Sequence, residues 1–463
     1  MKRLLGLRNL VHDLVEKTTT LVQDQHLSVV NKPTRVLGAI SPPIGDAARV
    51  VEGVQRWTSA LVYDAIRGTN ATVRAIGDVA VDAAVAGLTQ AELEAMVSKS
   101  EPDYFSTPLR SSALGSASWW VDHAQCAING AVGDFLHERG SDLHIEMGLR
   151  LQGRALGPEP SALRAAFPGA TGRVVVFVHG LSCTEWSWSY HAEQLHGDPD
   201  VNFGTLLARD LGFTALYVRY NTGLHISQNG RCLDALLDAV FAAYPIPIEQ
   251  IVLVGHSMGG LVSRSCAHYG RIRDASWTKR LTHLYCIGSP NLGAPLEKAG
   301  NVLGSLLQFF DTPGTQVPAI LLEARSAGIK DLRFGYVVDE DWKDRDPDAL
   351  LEDNRNDVPF VDSVLYCFIA GTLTADSSTA TSKVLGDVLV RLPSATGKAP
   401  DPARQIPFHV GSVVGGTNHV ELANHPDVYA EIRRWLVERP EDVVCAASRA
   451  AAVGTTREAP VTS

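Results

Sequence analysis

The chain has 463 residues, 45% of them hydrophobic, and a formal charge of −10. That is length for one large domain with additions or for two, with enough apolar side chains to bury a substantial core. The acidic balance argues against a nucleic-acid partner, because phosphate binding needs a net basic face.

The N-terminus opens on Lys2 and Arg3 like a secretion signal, but Arg8, His12, Asp13 and Glu16 interrupt any apolar stretch. No window reaches the roughly 18 uncharged apolar residues of a membrane span. The Ala/Val-rich run 75–89 holds Asp78 and Asp82. The expectation is a cytoplasmic protein without a transmembrane helix. Leu4, Leu7, Val11, Leu14 and Leu21 follow helical spacing, and Pro33, Pro42 and Pro43 mark a connection. Val50, Val54, Trp57 and Leu61 predict a helix over 47–66, and Thr89 caps another carrying Leu93 and Val97. Residues 1–138 thus read as a helical extension packed on a catalytic domain. The sharper alternative, drawn from Lys2, Arg3 and Arg8, is an interfacial helix that brings the protein into peripheral contact with a membrane.

From residue 139 the pattern alternates between β and α. Residues 144–151 alternate like an edge strand. Central strands are predicted at 173–178, 214–219, 250–254, 282–287, 364–370 and 407–410. Helices are predicted at 230–243, 258–269 and 426–438. Short apolar strands covered by helices on both faces mean a mostly parallel α/β sheet. The segment 296–362 is too long for a simple connection, and its apolar run 302–310 fits either a lid or extra core packing. The catalytic domain is drawn at 139–440, and the tail 441–463, rich in Ala, Thr and Arg, is expected to be disordered. The seven cysteines form no C-x-x-C pair, which suits small buried hydrophobes in a reducing compartment.

The chemistry concentrates at Gly255-His256-Ser257-Met258-Gly259, a G-x-S-x-G pattern placed where an apolar strand turns into a helix. A serine at the tip of such a turn is exposed on strained backbone, and flanking side chains would collide, so Ser257 is the candidate nucleophile. Its hydroxyl needs a base, and the base needs an acid to fix its tautomer. His256 points away from the site in a turn of this kind. His419 lies in a polar loop after the last predicted strand and is preferred over His425, which precedes Pro426 at a helix start. For the acid, both Asp376 and Asp387 fall between Ser257 and His419, and Asp376 stands nearer the end of the preceding strand. The oxyanion donors are expected to be the backbone N–H groups of Met258 and of Leu181, in the loop His179-Gly180-Leu181-Ser182. His179 is given no proton-transfer role. No metal-ligand spacing, phosphate loop or dinucleotide fingerprint is present, so no cofactor and no metal are expected.

With these pieces in order, the chain resembles the α/β-hydrolase superfamily, and within it bacterial lipase/esterase-type proteins similar to the GPI inositol-deacylase-like group. The resemblance covers roughly residues 140–440. It rests on Val176-Phe177-Val178-His179-Gly180-Leu181, Val254-Gly255-His256-Ser257-Met258-Gly259-Gly260, Gly288-Ser289-Pro290-Asn291-Leu292-Gly293-Ala294-Pro295, and Asn418-His419 followed by Pro426-Asp427-Val428-Tyr429 and Trp435-Leu436. Such lipases often carry a Gly-Asp-Gly-(Leu/Thr)-Val-Pro segment whose aspartate is the acid. Gly386-Asp387-Val388-Leu389-Val390 matches it, with Val388 in place of the second glycine and the proline displaced. The resemblance therefore implies Asp387 as the acid of a Ser257–His419–Asp387 triad. It also implies hydrolysis of carboxylic esters, of small-molecule or lipid substrates. An acyltransferase or thioesterase with the same triad, or a non-catalytic binding protein on the hydrolase fold, stand as the alternatives.

Overall fold

The computed structural model describes residues 117–141, 144–294, 326–345, 354–374, 386–387 and 389–438. The helices expected within 1–97, the apolar run 302–310, Asp376 and the tail 441–463 lie outside these residues.

The strands β1 (Gly148–Leu151), β2 (Arg154–Leu156), β3 (Arg173–Val178), β4 (Thr214–Arg219), β5 (Gln250–His256), β6 (Leu281–Ile287), β7 (Leu365–Thr372) and β8 (Val410–Gly415) form one sheet. Its spatial order is β2-β1-β4-β3-β5-β6-β7-β8. The β1–β2 and β1–β4 pairings are antiparallel, and every pairing from β4 across to β8 is parallel. After β3 the chain moves outward to β4, then crosses back to place β5 on the other side of β3. The loops following β3 and β5 therefore meet at the point where strand order reverses, the usual position of a site in an open α/β sheet.

The apolar runs follow from burial on both faces. On one face Val174, Val176, Val178, Leu253 and Cys286 pack with helices α3 (Ile226–Ala243) and α4 (Met258–Ile272). On the other, Val175, Phe177, Val252, Val254 and Tyr285 pack with α2 (Phe203–Leu211) and α6 (Pro426–Val437). Trp435 of α6 is 1% exposed, and truncating it to alanine is expected to cost about 3–5 kcal/mol. Local signals set the helix starts. Asn202 and Thr205 form a reciprocal capping box at α2, and Pro426 occupies the first turn of α6 behind His425. The result is the α/β-hydrolase fold.

Several boundaries differ from the sequence reading, and for two of them the packing gives the reason. The last strand is Val410–Gly415 rather than 407–410, because Gly411, Ser412 and Gly415 hide its alternation. Gly411 is there for space: a Cβ on it would lie 2.1 Å from the Phe368 ring. The third helix starts at Ile226, ahead of the expected 230. It starts early because the Asp331 carboxylate accepts the Ile226 N–H at 2.8 Å and so caps the helix from a distant segment. That segment holds α5 (Ala327–Phe334), inside the stretch proposed as a lid.

Helix α1 (Ala117–Glu138) ends where the helical extension was drawn to end. Its polar groups are bonded to the sheet domain. Asn129 Oδ1 accepts from Ile145 N, the Gly133 carbonyl accepts from Asn221 Nδ2, and the Gly130 carbonyl accepts from Ser326 Oγ. Asp122 joins Glu185 in pairing the buried guanidinium of Arg219. No helix among the described residues is long and apolar enough to cross a membrane.

Candidate active site

Strand β5 runs directly into Ser257, whose φ of 53° and ψ of −121° lie where a side chain is rarely tolerated. The turn survives because its neighbours lack side chains. A Cβ on Gly255 would sit 2.4 Å from the backbone of Gly259 and Gly260, and one on Gly259 would sit 2.0 Å from the Val178 carbonyl oxygen. The Ser257 N–H is anchored to the Ile287 carbonyl at 2.8 Å. Helix α4 starts at the next residue, so its N-terminal dipole and the Met258 N–H face the same space as the serine.

The loop after β3 lies against this turn: a Cβ on Gly180 would fall 3.0 Å from Ser257 Cβ. The Gly180 carbonyl is held from behind by Cys183 N at 3.2 Å and by His179 Nδ1 at 2.9 Å. In a trans peptide the carbonyl and the following N–H point in opposite directions. Holding Gly180 O therefore aims the Leu181 N–H away from His179. Among the described residues, neither the Leu181 N–H nor the Met258 N–H donates a hydrogen bond to the protein. Helix α1 backs the loop, with Gly130 so close to Ser182 that a Cβ would meet its Oγ at 2.0 Å.

On the other side stand Asp387 and His419, both almost fully buried. Asp387 Oδ1 accepts the N–H groups of Leu389 at 3.1 Å and Val390 at 2.8 Å. Its Oδ2 accepts from His419 Nδ1 at 2.7 Å. A carboxylate only accepts, so Nδ1 carries the proton and Nε2 keeps its lone pair. The backbone reinforces the pair, with His419 N donating to the Asp387 carbonyl at 3.1 Å. Sequence reasoning assigned no role to Gly288, yet it packs against both partners. A Cβ there would lie 3.3 Å from both Asp387 Oδ2 and His419 Cε1, and its φ is 57°. Its signal was the Gly288-Ser289-Pro290 run after β6, a strand end meeting the same sheet edge.

The structure thus brings Ser257, Leu181, Met258, Asp387 and His419 to one edge of the sheet. His256 reaches the same region in a different capacity. Its Nε2 donates to the His419 carbonyl at 2.8 Å, and the two rings lie 4.8 Å apart. Among the described residues no hydrogen bond links Ser257 Oγ to His419 directly; apo catalytic contacts often tighten only with substrate. Burial pushes His256 and His179 down to about 3, so both rings are neutral packing groups. His425 caps α6, its Nδ1 accepting from Asp427 N at 3.2 Å.

Residues 169–346 match the PGAP1-like alpha/beta domain family, in agreement with the resemblance carried by the motifs. No curated protein matches the chain. Solved structures similar to it include a lipase-esterase related protein from Clostridium acetobutylicum, at 10% identity over 57% of this chain and 95% of that one, with a TM-score of 0.31. Phospholipase PlaB from Legionella pneumophila is similar at 15% identity and a TM-score of 0.33, over 60% of this chain and 65% of its own. The naproxen esterase (carboxylesterase NP) of Bacillus subtilis is similar at 15% identity and a TM-score of 0.31, over 57% of this chain and 83% of that one.

Proposed function

We propose that this α/β-hydrolase-fold chain is a serine hydrolase of carboxylic esters that works through an acyl-enzyme. The observation that carries the reading is the strained Ser257, set between the Leu181 and Met258 N–H groups on one side and the Asp387-backed His419 on the other.

In the first half-reaction His419 Nε2 takes the Ser257 hydroxyl proton as Oγ forms its bond to the ester carbonyl carbon. The Leu181 and Met258 N–H groups take up the charge on the tetrahedral oxygen, a contribution worth about 3–4 kcal/mol per donor in comparable sites. His419 then gives its proton to the departing alkoxide as the C–O bond breaks. In the second half-reaction it deprotonates water, which attacks the acyl-serine and releases the acid. Asp387 holds the imidazole in the tautomer whose Nε2 faces the reaction.

The resemblance points the substrate toward acyl or lipid esters. In this reading 139–440 form the catalytic unit, α1 braces its oxyanion loop, and the residues before α1 supply any peripheral membrane contact. The test is fluorophosphonate labelling and p-nitrophenyl ester turnover in wild type and Ser257→Ala. Substitution is expected to abolish labelling and to lower kcat by about 10⁴–10⁶-fold. Equal signals in the two proteins would remove Ser257 from the reaction.

A further inference from the structure

Ser182 follows Leu181 at a φ of 58°, in the left-handed region that residues with a side chain avoid. It is the third residue of a tight turn closed by Cys183 N on the Gly180 carbonyl at 3.2 Å. A turn with positive φ at that position usually places glycine or asparagine there. The serine side chain does not compensate, because its Oγ has no hydrogen-bond partner among the described residues. The compensation is in the main chain: the Ser182 N–H donates to Thr222 Oγ1 at 3.1 Å.

Thr222 is 1% exposed and lies on the loop between β4 and α3. Helices α1 and α5 hold that loop from two sides. Asn221 Nδ2 donates to the Gly133 carbonyl at 2.8 Å, and its Oδ1 accepts from Gly223 N at 2.9 Å. Gly328 N donates to the Gly223 carbonyl at 3.0 Å. The fit leaves no slack. A Cβ on Gly223 would lie 2.1 Å from the Asn129 carbonyl oxygen, and one on Gly328 would lie 2.1 Å from that of Thr222. The Thr222 hydroxyl is therefore a fixed acceptor, on a loop that cannot follow Ser182 if it moves.

We infer that Thr222 is a positioning residue for the oxyanion loop, an inference that rests on the ester-hydrolase reading above. It acts through Ser182 and touches no reacting atom. Without its acceptor the Ser182 N–H is left unpaired, and relaxation of Ser182 to negative φ becomes favourable. That relaxation rotates the Leu181–Ser182 peptide between Gly180 and Cys183. It loosens the turn whose Cys183 N–H holds the Gly180 carbonyl, and with it the aim of the Leu181 N–H.

The experiment is steady-state p-nitrophenyl ester kinetics on the full chain, for wild type, Thr222→Val, Thr222→Ser, and Thr222→Val combined with Ser182→Gly. Valine keeps the shape and removes the acceptor. It is expected to lower kcat about tenfold with KM little changed, because the donor it misaims acts on transition-state charge. Serine keeps the hydroxyl and should return kcat to within about threefold of wild type. Glycine at 182 adopts positive φ at no steric cost, so Ser182→Gly should restore most of the turnover lost to Thr222→Val. Thr222→Ala, with the same rescue by Ser182→Gly, replaces the valine variant if that protein does not fold. Wild-type kcat in Thr222→Val, a serine variant as slow as the valine one, or no rescue by Ser182→Gly would each overturn the assignment while Ser257→Ala stays inactive. Turnover in Ser257→Ala equal to wild type would overturn the ester-hydrolase reading and this assignment with it.

Discussion

The two flanks of Ser257 are built from different materials. On the proposed oxyanion flank the groups assigned to the reaction are main-chain N–H groups, set by a strand end, a helix start and glycines that permit contact. The polar side chains there, His179 and His256, are neutral and bonded to carbonyls. On the proposed base flank the groups assigned to the reaction are side chains, and a carboxylate meets an imidazole at 2.7 Å. One flank is made by backbone geometry that a short motif fixes. The other is made by bringing together residues 32 positions apart. The same ring, histidine, does different things according to whether its partner is a carbonyl or a carboxylate.

The largest expected effect breaks the base flank. Asp387→Asn keeps the acceptor for Leu389 and Val390 but offers His419 an amide that can force the wrong tautomer. Ester turnover should fall about 10⁴-fold with little change in KM. A loss below tenfold would mean that the acid lies elsewhere, with Asp376 the first alternative. The corresponding blow to the oxyanion flank falls on folding. Gly259→Val would drive a Cβ into the Val178 carbonyl, 2.0 Å away. Destabilisation above about 4 kcal/mol is expected, read as a drop in urea midpoint or as loss of soluble protein. A variant of wild-type stability would show that the turn is far more plastic than its contacts imply.

Acid titration sharpens the contrast between carbonyl-bonded and carboxylate-bonded rings. Burial lowers His179 and His256 to about 3 and His283 to about 4. In the unfolded chain each returns to an ordinary value of about 6.5. Between those limits the unfolded state binds more protons, so stability falls as pH drops from about 6.5 toward 3. The slope is at most about 1.4 kcal/mol per pH unit for each ring. Urea midpoints measured across that window should show it. His256→Gln, whose amide can reproduce the Nε2 donor without titrating, should reduce the slope by roughly a third of its histidine share. An unchanged slope would mean that His256 is not held neutral.

Legibility in the sequence follows the same division. Strand β3 was readable to the residue because it is a Val-rich run buried on both faces, and β4 because its buried Thr214, Leu216 and Val218 alternate with half-buried neighbours. The turn at Ser257 and the His-Gly-Leu loop were readable as local geometry because a short motif fixes each of them. Strand β8 was misplaced because an edge strand holding Gly411 and Gly415 carries no alternation. The acid was not decidable from local pattern, since an aspartate in a turn looks alike whether or not an imidazole reaches it. The family resemblance pointed to Asp387, and the structure places it on His419. Gly288 was invisible as a site residue because its contribution is the absence of a side chain beside two partners.

The smallest effect tests whether a neutral histidine on the oxyanion flank aims a donor. His179 Nδ1 holds the Gly180 carbonyl, and peptide planarity then fixes the direction of the Leu181 N–H. His179 also stacks on Tyr220 at 4.6 Å, and the Tyr220 hydroxyl donates to the His179 carbonyl at 2.7 Å. Packing and aiming are therefore mixed in one residue, and two substitutions separate them. His179→Phe keeps an aromatic ring on Tyr220 and loses the donor. His179→Asn gives up the stack, but its amide nitrogen can stand where Nδ1 stood. If aiming matters, the phenylalanine variant should lose about 10–100-fold in kcat, less than outright removal of an oxyanion donor, with KM little changed. The asparagine variant should recover most of that loss although it packs worse. If the asparagine variant is the slower of the two, His179 acts through packing, and the direction of the Leu181 N–H is set by Cys183 N alone.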